Sequence, residues 1–269
     1  MPLVANAAPP ARRVRARVSV VEDASGLADR LAQRISRLVC EGVRTRSCFR
    51  IALAGGATPR ALYARLARPP HRSRLPWQAV QVFWTDERCV PAHDPTSNYV
   101  MARETLLNHV EIPKANIPPV PVERGTPTRI AFEYDAEVRH AFGLTTGQMP
   151  IFDLVLLGVG ADGHVASLFP GSRALSKTHR VAVASVGGRP RCARVSLTLP
   201  VLSSARRMIW LVTGSAKAAI VRRLLETRST AATALPAQRL QRLAGPSEWW
   251  LDRAAARLLR GSDRHGLGP

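Results

Sequence analysis

The sequence predicts an α/β fold, a three-layer sandwich in which a mostly parallel sheet is covered by helices on both faces. Three observations lead there. Short apolar runs alternate with segments of helical periodicity along most of the chain. Two of those runs end directly in glycine turns, at Gly55-Gly56 and at Gly158–Gly163, as strands of a parallel sheet do before a helix or a ligand. The length, 269 residues at 46% apolar content, is enough to build one substantial core.

The elements follow in order. Val14 to Val21 alternates apolar and polar residues and reads as a half-buried strand. Leu27, Leu31, Ile35, Leu38 and Val39 keep helical spacing, so residues 25–44 form an amphipathic helix. Phe49 to Ala54 is a short strand, and after Gly55-Gly56 a helix opens with Thr58 as N-cap and Pro59 in its first turn. VQVFW, between Trp77 and Trp84, is a third strand; a helix follows near Tyr99 to His109 and another near Arg129 to Phe142. Phe152 to Leu157 is a fourth, fully buried strand. Further strands lie at Val181–Ala184, Val195–Leu199 and Met208–Thr213, before a helix from Ala216 to Glu226. The Pro-rich stretch 112–127 is a surface connection, because the alternation resumes beyond it. We expect residues 1–13 to be a disordered extension, 14–260 one domain, and 261–269 a disordered tail.

The bulk chemistry excludes several classes. No run approaches a membrane span, and the amino terminus lacks the apolar core of a secretory signal. Cys40, Cys48, Cys89 and Cys192 are dispersed, without a C-x-x-C pair, which points to reduced thiols and a cytoplasmic setting. The histidines form no ligand pair, so no metal is expected. The formal charge is +20, but all except three of the 39 basic residues are arginines spread over almost every segment. A nucleic-acid arm concentrates its charge beside stacking aromatics, and aromatics are only 5% here. The charge is therefore read as a general attraction for small anions. A monomer or weak homodimer is expected.

Within FDLVLLGVGADGHVASLFPGS, Gly158, Gly160 and Gly163 spell G-x-G-x-x-G after an apolar run. A dinucleotide site also needs a helix at the third glycine and an acid about 20 residues on to hold the ribose. The next strand, RVAVASVGGRP, carries no acid, and Asp162 occupies the turn where a pyrophosphate would lie. The same residues suit a catalytic turn better. Asp162 and His164 stand close enough to act together, and histidine is the natural base for activating water near neutrality. The plainer alternative is an Asp that caps a helix with a His on its first turn.

IALAGGATPRALYARL has the build of a phosphate cradle: a strand, two glycines, and a helix amino terminus with free N–H groups. Asp86, Glu87 and Arg88 follow strand VQVFW at the end where a cleft would open, although a solvated charged loop reads the same. Arg194 begins strand VSLTL and Lys217 opens the helix after VTGSAK; either could bind a phosphate. Trp249-Trp250 is read as packing.

Together, LAGGATPRALYARL, VFWTDERCVPAHDPTSNY, FDLVLLGVGADGHVASLFPGS, ARVSLTLPVL and VTGSAKAAIV resemble the 6-phosphogluconolactonase family, in that family's order, with LPAQRL and EWWLD continuing the match. The resemblance implies the Rossmann-like sheet shared with glucosamine-6-phosphate deaminase and ribose-5-phosphate isomerase. It implies hydrolysis of 6-phospho-D-glucono-1,5-lactone to 6-phosphogluconate in the pentose phosphate pathway, with no cofactor or metal. His164 would deprotonate the attacking water and Asp162 would orient it. The turn Gly55, Gly56, Ala57, Thr58 would hold the phosphate, with Arg88, Arg194 and Lys217 as charged contributors, and Asp86 would face the sugar hydroxyls. Ala57 departs from the family, which usually places a hydroxyl residue there. Two rivals are kept. The deaminase pattern carries a Glu five residues after the histidine, where this chain has Phe169. The other is a basic nucleic-acid binder on the same fold.

Overall fold

The computed structural model describes residues 17–145, 147–227, 229–230 and 233–260. The extension and tail expected at 1–13 and 261–269, and the first residues of the strand expected from Val14, lie outside that range. In chain order the elements are β1 (Arg17–Val21), α1 (Ala24–Arg46), β2 (Phe49–Leu53), α2 (Ala57–Leu66), α3 (His71–Arg74), β3 (Val80–Trp84), β4 (Asp86–Arg88), α4 (Asn98–Thr105) and α5 (Pro127–Ala141). Then come β5 (Leu154–Leu157), β6 (Ala182–Gly187), β7 (Cys192–Leu197), α6 (Leu199–Ser203), β8 (Met208–Val212), α7 (Ala218–Glu226), α8 (Pro236–Leu243), β9 (Ser247–Asp252) and α9 (Arg253–Ala256).

Six strands form one sheet in the order β1-β9-β8-β5-β2-β3, and every pairing in it is parallel. All residues of β5 and β8 are buried. Successive side chains point to opposite faces of a sheet, so both faces are covered at its centre. β1, at the edge, alternates in exposure, but in the opposite phase to the one its apolar residues suggested: Ser19 and Val21 are buried, while Val18 and Val20 are half-buried. The α/β, mostly parallel expectation holds. A second sheet of three antiparallel strands, β4-β7-β6, was not foreseen.

Local chemistry explains most boundaries. Asp23 caps α1 by accepting from Gly26 N at 2.8 Å, and Ser47, at φ 61°, ends it. Leu27, Leu31, Ile35, Leu38 and Val39 make its buried stripe. The N-cap of α2 is Gly56 at φ 110°, not Thr58, which lies inside the helix and turns its hydroxyl to Thr213 instead. EWWLD is a strand as well as packing: the Trp249 ring stacks on Trp210 of the neighbouring β8, with centroids 4.7 Å apart. Arg34 of α1 pairs with Glu248 of β9 and ties the helix to that edge of the sheet.

Candidate active site

The four strands β8, β5, β2 and β3 are neighbours, and the segments leaving their carboxyl ends meet around one cavity of about 430 Å³. Two buried tyrosines fix where β2 and β3 stop. Tyr63 of α2 donates its hydroxyl to Ala54 O at 2.8 Å and accepts from Ala54 N at 3.0 Å. Tyr134 of α5 does the same at Trp84, at 3.0 and 2.8 Å. Burial pushes both phenols well up, so they stay protonated donors.

Gly55, Gly56, Ala57, Thr58, Asp86, Arg88, His164, Arg194 and Lys217 all line this cavity. Residues up to 162 positions apart, which the family resemblance had grouped, are thus one constellation. Asp162 is not on the wall. It sits behind His164, and its Oδ1 lies 2.6 Å from His164 Nδ1 and accepts from His164 N at 3.1 Å. An ionised carboxylate only accepts, so Nδ1 carries the proton and Nε2 keeps its lone pair. Burial pushes the Asp162 carboxyl up, but the His164 backbone N–H, charge and ring outweigh it and hold the group below the usual carboxylate range. No helix follows Gly163. The turn closes through Gly163 N to Gly160 O and then makes a tight Val165–Leu168 bridge, which removes the reading of Asp162 as a helix cap. Gly160 is needed for close approach, because a Cβ there would fall 2.0 Å from His164 Nδ1.

Three cations enter the cavity from different elements. Lys217, before α7, donates Nζ to Val159 O at 2.9 Å. Burial lowers its ammonium below the usual lysine value, and the Asp162 charge offsets that only in part. Arg88 of β4 and Arg194 of β7 are register partners in the small sheet, which explains how loop-like DER becomes a strand. Arg194 NH1 lies 3.8 Å from Asp86 Oδ2, and that oxygen accepts Ser167 Oγ at 2.6 Å. Part of the accepting capacity of Asp86, expected to face sugar hydroxyls, is therefore already engaged within the protein. Thr58 and Thr213 hydroxyls meet at 2.6 Å and link the glycine turn to the end of β8.

Sequence reasoning missed Asn98. Asn98 lines the cavity, donates Nδ2 to Asp86 O at 2.7 Å and accepts from Arg88 NH1 at 3.2 Å. It lies directly over Gly55: a Cβ on Gly55 would come within 1.9 Å of Asn98 Oδ1. Ser97, the N-cap of α4, was the available signal, since a hydroxyl before the run NYVM marks a helix start. Gly55→Ala must therefore displace Asn98 and loosen Arg88. We expect KM to rise about tenfold with a smaller change in kcat, and an unchanged KM in steady-state assays would contradict the coupling.

Among the described residues no three His, Cys, Asp or Glu side chains gather in a way that could hold a metal ion, and no helix is long and apolar enough to cross a membrane.

Comparisons with known proteins agree with this fold. A family model described as Glucosamine-6-phosphate isomerases/6-phosphogluconolactonase matches residues 22–249. The chain is 39% identical over 200 residues to a 6-phosphogluconolactonase of Synechocystis sp., covering 74% of this chain and 81% of that one. It is 38% identical over 253 residues to the human 6-phosphogluconolactonase, covering 90% and 93%. The solved structure of 6-phosphogluconolactonase from Trypanosoma brucei superposes with a TM-score of 0.81 at 31% identity, over 91% of this chain and 99% of that one. A monomeric glucosamine-6-phosphate deaminase shares the fold, with a TM-score of 0.74 at 22% identity over 90% and 99%. With most of its length matched by the family model and by these relatives, the chain belongs to the glucosamine-6-phosphate isomerase/6-phosphogluconolactonase family.

Proposed function

We propose that the chain hydrolyses 6-phospho-D-glucono-1,5-lactone to 6-phospho-D-gluconate, the lactonase step of the pentose phosphate pathway, in the cytoplasm and without a metal or cofactor. The observation that carries this reading is a histidine oriented by a carboxylate in the same cavity as three cations. His164 Nε2 takes a proton from water as the water oxygen bonds to the lactone carbonyl carbon. The carbonyl oxygen becomes an oxyanion, which the cations of the cavity stabilise. Collapse breaks the bond from that carbon to the ring oxygen, and the imidazolium returns its proton to the departing oxygen. Asp162 holds the imidazole tautomer and stabilises its charged form, as a carboxylate does beside a catalytic histidine.

The backbone N–H groups of the Gly55–Thr58 turn, with Lys217 on the wall of the same cavity, suit the 6-phosphate. Arg88 and Arg194 add positive charge along the wall. Ala57 supplies no hydroxyl, so the backbone, Thr58 and Lys217 carry this end. Phe169 cannot transfer protons, which disfavours the deaminase reaction.

Purified protein should accelerate hydrolysis of the lactone, generated in situ from glucose 6-phosphate, above the spontaneous rate. A folded sample that gives no acceleration would overturn the assignment. The phosphate role of Lys217 has a pH signature. Its folded-state value is below 10.5, so the ammonium loses its proton earlier on the alkaline side than an ordinary lysine does. Affinity for 6-phosphogluconate should therefore weaken as pH rises towards 10.5. Lys217→Arg should keep binding flat over that range, whereas a flat profile in the wild type would remove Lys217 from the phosphate site.

A further inference from the structure

Phe169 has a second relationship to the site. Its ring is 8% exposed and lies 4.6 Å, centroid to centroid, from the His164 imidazole. The Arg194 guanidinium carbon lies 5.9 Å from the same ring, within reach of a cation–π contact. Behind it the ring rests on Gly187, the last residue of β6. A Cβ added there would fall 2.5 Å from two ring atoms, Cδ2 and Cε2. Gly187 O also accepts from Arg194 Nε at 3.3 Å, and Gly188 leaves room for the guanidinium, whose NH2 would lie 2.6 Å from a Cβ at that position. The aromatic ring thus touches the base and one cation of the proposed mechanism, and its seat is a bare glycine α-carbon.

We propose that Phe169, seated on Gly187, is a positioning residue that fixes the His164 imidazole and the Arg194 guanidinium relative to each other. This rests on the lactonase reading of the site. The chemistry of the position supports it. Asp162 anchors one edge of the imidazole through Nδ1, but a single hydrogen bond leaves the ring free to swing about that contact. The Phe169 ring blocks that motion from another direction. It also attracts the guanidinium without neutralising it, as a carboxylate at 169 would. An acid there would compete with Asp86 for Arg194 and with Asp162 for the imidazole. The apolar residue that separates this chain from the deaminase pattern therefore contributes to the hydrolytic arrangement and is more than a missing acid.

Two substitutions test the idea from opposite sides of the ring. Phe169→Leu removes the aromatic surface. Gly187→Ala leaves Phe169, His164 and Arg194 in place chemically but forces the ring to shift. Both should lower kcat for the lactone about tenfold, with less than a threefold change in affinity for 6-phosphogluconate. The double variant should be little worse than either alone, because both act through one contact. NMR of the His164 imidazole and the Arg194 Nε–H should show both resonances displaced in each variant, with melting temperatures confirming folded samples. If the wild type hydrolyses the lactone and both variants keep kcat within twofold, the role of Phe169 is wrong and the lactonase reading stands. If the wild type is inactive, that reading falls. The NMR arm still decides the positioning, which unmoved resonances in Gly187→Ala would overturn.

Discussion

His164→Ala should lower kcat for lactone hydrolysis by about three orders of magnitude, within the usual range for loss of a positioned general base, while affinity for 6-phosphogluconate should change less than threefold. The two effects separate because, in the proposed arrangement, the imidazole would touch the reacting water, whereas the phosphate end would rest on the Gly55–Thr58 turn and Lys217. Residual turnover above the spontaneous rate is expected, since the cations of the cavity still meet the developing oxyanion. Steady-state kinetics on the lactone, with product binding by calorimetry, provide the check. A variant with near wild-type kcat would remove His164 from the mechanism, and one that lost product binding as well would point to structural damage instead.

The second large effect is on stability. Glu87 is 2% exposed, and its carboxylate accepts four hydrogen bonds: from Arg88 N at 2.7 Å, Tyr99 N at 2.7 Å, Asn98 N at 2.8 Å and Ser97 Oγ at 2.9 Å. Burial pushes the carboxyl above the usual carboxylate range, and the four donors pull it back only in part. Glu87→Ala leaves several buried donors without an acceptor at the start of α4, at a cost of roughly 4 kcal/mol. At about 2–4 °C per kcal/mol for a chain of this size, the melting temperature should fall by about 10 °C. KM should rise too, because Arg88 and Asn98 both hang on this carboxylate. Glu87→Gln, which keeps one acceptor oxygen but adds donors, should lie between. A melting temperature unchanged in Glu87→Ala would show that water satisfies those donors.

What could be read from the sequence depended on whether the signal was local. The α1 stripe, the buried run of β5 and the glycine turns each declare themselves within a dozen residues, and the structure has them where periodicity put them. The family resemblance added order and roles to residues that spacing alone left open. β4 was invisible because DER has no apolar pattern; it becomes a strand by pairing with β7, more than a hundred residues later. α8 was not read as a helix, because LPAQRL is too short to show helical spacing, and EWWLD was legible only as packing. Thr58 looked like an N-cap because a threonine before proline usually is one. Its true partner, Thr213, arrives from a strand two places away in the sheet. Asn98 shows the same limit. Nothing near TSNY announces that Gly55 lies under it.

The edge pairing of the large sheet has a consequence for how the chain is made. Among the described residues β1 is the first strand and β9 the last, yet β1 has no other neighbour in that sheet. On the ribosome the first strand emerges with nothing to add to, and it must wait until some 225 further residues have been synthesised. β2, β3, β5 and β8, which carry the cavity, can pair before that. The nascent chain can thus hold most of its catalytic residues near their final places while its oldest strand is still unpaired, and only the arrival of β9 closes the sheet over β1.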